Sequence, residues 1–200
     1  MAIKVETFPP PGAFELDWEG LKQMLDRTAP ELNAGALVKG MRKLRPQYSP
    51  SQVYFAVATE RMMGAGSRIV AERRGVQAGA PTFQYFVTWE SPVEGGRLGA
   101  THAVELPLVF DTVATSPSII GDDAEDALKV ADAMSSAWIQ FARTGSPNGP
   151  GLPRWPAFYP QRRPTMVFDV VSQAVDDPLG EEWELLAAAG MPGSAGGLPT

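Results

Sequence analysis

One stretch of this chain alternates as a strand with one buried face must. In TFQYFVTW, residues 82–89, Phe83, Tyr85, Val87 and Trp89 fall on one side. A second, shorter strand is expected in TMVFD, residues 165–169. Two strands cannot make a complete sheet, and every other periodic segment is helical. Whatever sheet this chain builds is therefore a small part of a larger one, or is covered by something else.

The helical segments carry clear boundaries. Asp17 is placed to cap a helix whose Trp18, Leu21 and Leu25 share a face, and a second is expected over 35–44 with Leu37, Met41 and Leu44 aligned. Ser49, Pro50 and Gln52 form a capping-box start for a long helix reaching about Arg74. The clearest pattern is GDDAEDALKVADAMSSAWIQFARTG, acidic at its start, where the helix dipole favours carboxylates. It has an apolar stripe of Ala127, Ala131, Met134, Trp138 and Phe141, and Gly145 to end it. A last helix is expected over 179–189. The lead-in through PPPG and the proline-glycine stretch 146–164 are irregular, as 19 prolines and 20 glycines suggest. The main body spans 1–190, and 191–200 is expected to be a disordered tail.

Several functions are excluded by composition. A net charge of -6 gives no basic surface for a nucleic-acid backbone. The absence of cysteine removes disulfides and thiolate zinc sites and fits a reducing compartment. No apolar run approaches the roughly 18 residues that suggest a membrane span, and MAIKVETFPPPG lacks the pattern of a signal peptide. The expectation is a soluble, cytoplasmic protein that does not bind membranes.

Chemistry concentrates on the single histidine, His102, in RLGATHAVELPLVF. An imidazole titrates near neutrality and can take and return a proton, as a general base must. A hydrogen-bonded structural histidine is the simpler reading of such a residue alone. One histidine without cysteine cannot assemble a transition-metal site, and GDDAEDA lacks the alternating ligands and glycine of a calcium loop. No metal and no cofactor is expected. A catalytic histidine also needs a nucleophile, and no G-x-S-x-G pentapeptide is present. Ser67 in GAGSR falls inside the expected long helix, and Ser146 in TGSPNG follows a helix in a loop. Both are read as structural.

Taken together, the ordered segments APTFQYFVTWESP, GATHAVELPLVF and WIQFARTGSPNGPGLPRWPAFYPQRRPTMVFD resemble the C-terminal part of the type B carboxylesterases. These include the bacterial para-nitrobenzyl esterases and the cholinesterases, and the similarity runs more loosely from Phe14 to Asp169. The resemblance implies an α/β class: the C-terminal portion of an α/β-hydrolase fold, helix-rich with a few strands and incomplete relative to the family. It implies a carboxylic ester hydrolase with a Ser–Glu–His triad, in which His102 is the base. The serine and oxyanion donors would belong to an N-terminal half that this chain lacks. The partners implied are that missing half and, in the full-length member, a small carboxylic ester.

Two departures from the family pattern stand out. Ala103 follows the histidine where glycine is usual, which matters only if that position needs a positive φ. The triad acid falls near the N-terminus, as Glu6 in KVETF or as a residue upstream of Met1. Glu105 is expected to anchor the histidine loop, and Leu106, Val109 and Phe110 to border a pocket or pack in the core. Trp89, Trp138 and Trp155 are expected as core anchors. The chain by itself is expected to be inactive and to leave an apolar face uncovered. The competing readings are a non-catalytic, cholinesterase-like protein-binding module and a nonfunctional remnant.

Overall fold

The computed structural model describes residues 9–122 and 125–191. Eight helices and three strands follow in the order α1 (Trp18–Thr28), α2 (Ala34–Leu44), α3 (Pro50–Thr59), α4 (Ala65–Gly75), β1 (Gln84–Val87), α5 (Glu105–Val109), α6 (Pro117–Ile120), α7 (Glu125–Thr144), β2 (Pro164–Phe168), β3 (Gln173–Asp176) and α8 (Gly180–Ala188) among the described residues. A π-helical turn, Glu60–Gly64, joins α3 to α4, so the expected long helix is there but is wound wider at its middle. The chain forms two compact units, one from the residues up to Arg68 together with those from Leu179, the other Ile69–Pro178.

The first unit is helical. Asp17 caps α1 by accepting from the Gly20 N–H at 2.6 Å, and Asn33 does the same for α2 from Ala36 at 3.0 Å. The capping box on α3 is complete: Ser49 Oγ accepts from Gln52 N–H, and Gln52 Oε1 accepts from Ser49 N–H. These caps satisfy backbone donors that a helix start otherwise leaves unpaired. Leu21 and Leu25 of α1, Leu37 and Met41 of α2, Val53 and Val57 of α3, and Trp183 and Leu186 of α8 build one buried cluster. Gly40 lets α8 approach closely, since a Cβ there would meet the Leu185 side chain at 2.7 Å.

The second unit holds the sheet, in the order β1-β2-β3. β1 and β2 are parallel, Gln84 opposite Thr165 through Val87 opposite Phe168, and β3 returns antiparallel beside β2. All five residues of β2 are buried. Ala127, Val130, Ala131 and Met134 of α7 pack in the same cluster as Met166 and Phe168, with Trp89, Leu108 and Trp155. Trp89 and Trp155 are core anchors as expected, whereas Trp138 is only partly buried and Phe141 is exposed. The loop after α7 is clamped by Asn148, whose Oδ1 accepts from Trp155 N–H at 2.7 Å and whose Nδ2 donates to Trp155 O at 2.9 Å. Trp155 in turn donates its indole N–H to Gln84 O at 3.1 Å. That chain of bonds gives the spacing from SPN to PRWP its structural reason. Of the tail expected over 191–200, Met191 is instead buried in the helical core, and residues 192–200 lie outside the described residues.

Candidate active site

The histidine segment begins where β1 ends. Thr88 donates its N–H to Phe168 O at 2.9 Å and its hydroxyl to Asp169 Oδ2 at 2.7 Å, tying together the C-terminal ends of the two parallel strands. Beyond Trp89 the backbone passes through left-handed conformations at Glu94, Gly95, Gly96 and Gly99. Ser91, fully buried, fixes this loop by donating its N–H to Gly99 O and accepting from Val93 N–H on its hydroxyl.

A tight turn then presents the imidazole. Val104 N–H donates to Thr101 O and Leu106 N–H to Ala103 O, both at 3.1 Å. Val104 and Leu108 are buried in the cluster that includes α7, which pins α5 against the core. His102 is exposed, and among the described residues its imidazole makes no hydrogen bond. It stands outside any helix, one turn before α5. Leu106 within α5 and Phe110 at its end are 50% and 71% exposed, so exposed apolar side chains follow the imidazole closely in the chain. Val109, by contrast, packs into the core.

Ala103 has φ 68°, the left-handed region where an L-residue carries a steric cost of roughly 1–2 kcal/mol. The turn that presents His102 therefore needs the conformation glycine supplies most easily, and alanine adopts it. Glu105 makes no side-chain hydrogen bond among the described residues, so it does not anchor the loop in the expected way. Its charge is instead felt by Tyr85 of β1, whose phenol is held above its ordinary range first by burial and then by this carboxylate. Neither proximity nor strain was readable from sequence spacing alone.

No triad is assembled among the described residues. Ser67 is exposed on α4, and Ser146 Oγ accepts from Asn148 N–H and Nδ2 within its own loop. Glu6 lies outside the described residues. No group of three His, Cys, Asp or Glu placed to hold a metal occurs among them, and none of their helices is long and apolar enough to cross a membrane.

A family model, the carboxylesterase family, matches residues 25–182. The chain belongs to the carboxylesterase family. Over 113 residues it is 33% identical to phenmedipham hydrolase of Pseudarthrobacter oxydans, covering 55% of this chain and 22% of that protein. It is 32% identical over 108 residues to para-nitrobenzyl esterase of Bacillus subtilis, covering 54% of this chain and 22% of the relative. Among solved structures, a carboxylesterase of Geobacillus stearothermophilus superposes with a TM-score of 0.69 at 30% identity, over 88% of this chain and 36% of that one. The fold is thus that of the α/β-hydrolase carboxylesterases over part of their length, helix-rich with few strands, as the carboxylesterase resemblance implied. The matched region amounts to only about a fifth of the curated relatives and a third of the solved one.

Proposed function

We propose that this chain supplies the general base, His102, to a serine carboxylic ester hydrolase whose nucleophile and oxyanion donors lie outside these 200 residues. The observation that carries the reading is the exposed, unpartnered imidazole, held by a hydrogen-bonded turn directly before α5, in a chain of the carboxylesterase family. In that role His102 accepts the serine proton as the hydroxyl oxygen attacks the acyl carbon. It returns the proton to the leaving alcohol oxygen as the ester C–O bond breaks. A water molecule then repeats the sequence on the acyl-enzyme and releases the acid. The triad acid, which holds the imidazole tautomer, is assigned to Glu6 or to a residue outside this chain. This stretch corresponds to the C-terminal portion of the family fold.

On this reading the isolated chain is inactive, because a lone imidazole lacks the oxyanion stabilisation and bound nucleophile that make up most of the rate. The test uses para-nitrophenyl acetate. Residues 1–200 should match a His102→Ala control. Joined to the remaining part of a carboxylesterase fold, they should hydrolyse the ester, and His102→Ala should remove about 10⁴-fold or more of that rate. Fluorophosphonate labelling of a serine in the isolated chain, or full activity of the joined His102→Ala protein, overturns the proposal.

A further inference from the structure

We propose that Asn148, followed by Gly149, is a latent deamidation site. The folded loop around it holds the reaction off, and deamidation in the opened loop prevents the same closure from forming again.

The chain has two asparagines, Asn33 and Asn148, and of these Asn148 precedes a glycine. Lacking a Cβ, Gly149 leaves its own backbone nitrogen open to a neighbouring group. In the reaction that nitrogen attacks Cγ of Asn148. A C–N bond forms, the bond from Cγ to Nδ2 breaks, and the proton of the attacking nitrogen leaves with Nδ2 as ammonia. The product is a five-membered imide. Water then adds to either of its carbonyl carbons and reopens the ring, as aspartate or as isoaspartate, in which the main chain runs through Cγ. Water is the single co-reactant.

In the folded chain this amide is gripped on three sides. Oδ1 accepts from Trp155 N–H at 2.7 Å, and Nδ2 donates to Trp155 O at 2.9 Å and to Ser146 Oγ at 3.2 Å. Departure of Nδ2 breaks two of these bonds outright, and the tetrahedral geometry at Cγ misaligns the third. With hydrogen bonds of ordinary strength, the three together keep the opened loop to about one molecule in a hundred. The product cannot restore the clamp. A carboxylate only accepts, so it sets an anionic oxygen against Trp155 O and leaves Ser146 Oγ without this donor. Isoaspartate also lengthens the main chain by one carbon. The effect reaches the core, because the clamp fixes the backbone of a buried tryptophan. Trp155 stands 5.5 Å from Phe168 between ring centroids and donates its indole N–H to Gln84 O of β1.

The experiment ages residues 1–200 in mildly alkaline buffer, with and without denaturing urea. Peptide mass spectrometry then separates asparagine, aspartate and isoaspartate at position 148. In urea Asn148 should convert faster than Asn33, and in buffer it should convert about a hundredfold more slowly than in urea. Gly149→Ala should suppress conversion in urea. It leaves the folded loop intact, since a Cβ there meets Gln140 Cγ at 3.7 Å, an ordinary contact. Ser146→Ala removes one partner of Nδ2 and should speed conversion in buffer about fivefold while leaving the rate in urea unchanged. Asn148→Asp, which carries the carboxylate of the product, should lower the urea midpoint of the chain. Equal rates in buffer and urea, conversion in urea no faster than at Asn33, a Ser146→Ala rate in buffer equal to that of the parent, or an unchanged midpoint for Asn148→Asp would each overturn the inference.

Discussion

The two parallel strands are written in similarly apolar residues and meet opposite fates. In β2, PTMVF, every residue is buried between a strand on each side. In β1, QYFV, none is fully buried, and Tyr85 is exposed despite its large aromatic ring. Helix α7 repeats the contrast along its own length. Ala127, Val130, Ala131 and Met134 are completely buried, while Trp138 is half-covered and Ile139 and Phe141 are open. Hydrophobicity is the same on both sides of the comparison. What differs is whether a neighbour exists to exclude water, and that neighbour, not the residue, sets how much burial contributes.

The contrast is sharpest at the level of single side chains. Phe168 is fully buried among Tyr85, Trp138 and Trp155, so Phe168→Ala should cost about 3–5 kcal/mol through lost transfer energy and the cavity left behind. Phe141→Ala, the same chemical change on the open side, should cost about 1 kcal/mol or less in the chain alone, chiefly its ring contact with Phe83. Urea unfolding of both variants checks the pair. Equal losses would show that the open side is covered in solution and would break the comparison.

A second, pH-dependent effect probes the first unit, whose core is otherwise closed. Glu60 lies on the π-helical turn with its carboxylate folded over Gly64, where a Cβ would collide with it. Burial is the largest influence on this group and raises its pKa above the ordinary value of 4.5; the Arg68 charge opposes the shift and the Glu182 charge adds to it. Glu182 is itself buried, paired through Oε1 with Arg45, while its Oε2 has no hydrogen-bond partner among the described residues. A carboxyl group with a raised folded pKa binds its proton more tightly in the native state. Its contribution is therefore fully present below about pH 4.5 and is lost as pH rises through the folded value. Glu60→Gln should remove that decline and leave the protein more stable than the parent at neutral pH, with little difference at pH 4. Urea midpoints measured from pH 4 to 8 give the answer, and parallel curves for the two proteins would refute it.

Much of this architecture was legible because it is local. The Ser49–Gln52 box, the Asp17 cap and the α7 stripe are patterns over a few residues, and each is where the spacing places it. The third strand was not legible. Gln173–Asp176 is mostly exposed and carries no alternation, so only its pairing with β2 makes it a strand. The π turn was hidden for a similar reason, since one widened turn does not disturb an apolar stripe enough to be read. For the site, sequence singled out His102 and the absence of a nucleophile motif, but not which of its neighbours face water. Leu106 and Val109 look alike in sequence; one is open and one packs inward, because α5 lies against α7.

The smallest expected effect concerns the turn that joins the open and closed regions. Ala103 precedes the buried Val104 and follows the exposed His102, and its φ of 68° is the geometric price of placing them so. Alanine in that region costs roughly 1–2 kcal/mol relative to its preferred conformations, because Cβ crowds a backbone carbonyl. Glycine carries no such penalty but loses more backbone freedom on folding, which offsets roughly 0.5–1 kcal/mol of the gain. Ala103→Gly should therefore stabilise the chain by about 0.5–1 kcal/mol, measured as a shift of the urea midpoint at constant slope. Ala103→Val, with a β-branched side chain at the same φ, should move the midpoint the other way. The sign of the glycine variant decides the matter. A loss of stability would mean that the turn relaxes out of the left-handed region in solution, and the position of the imidazole would then be set by something other than this backbone.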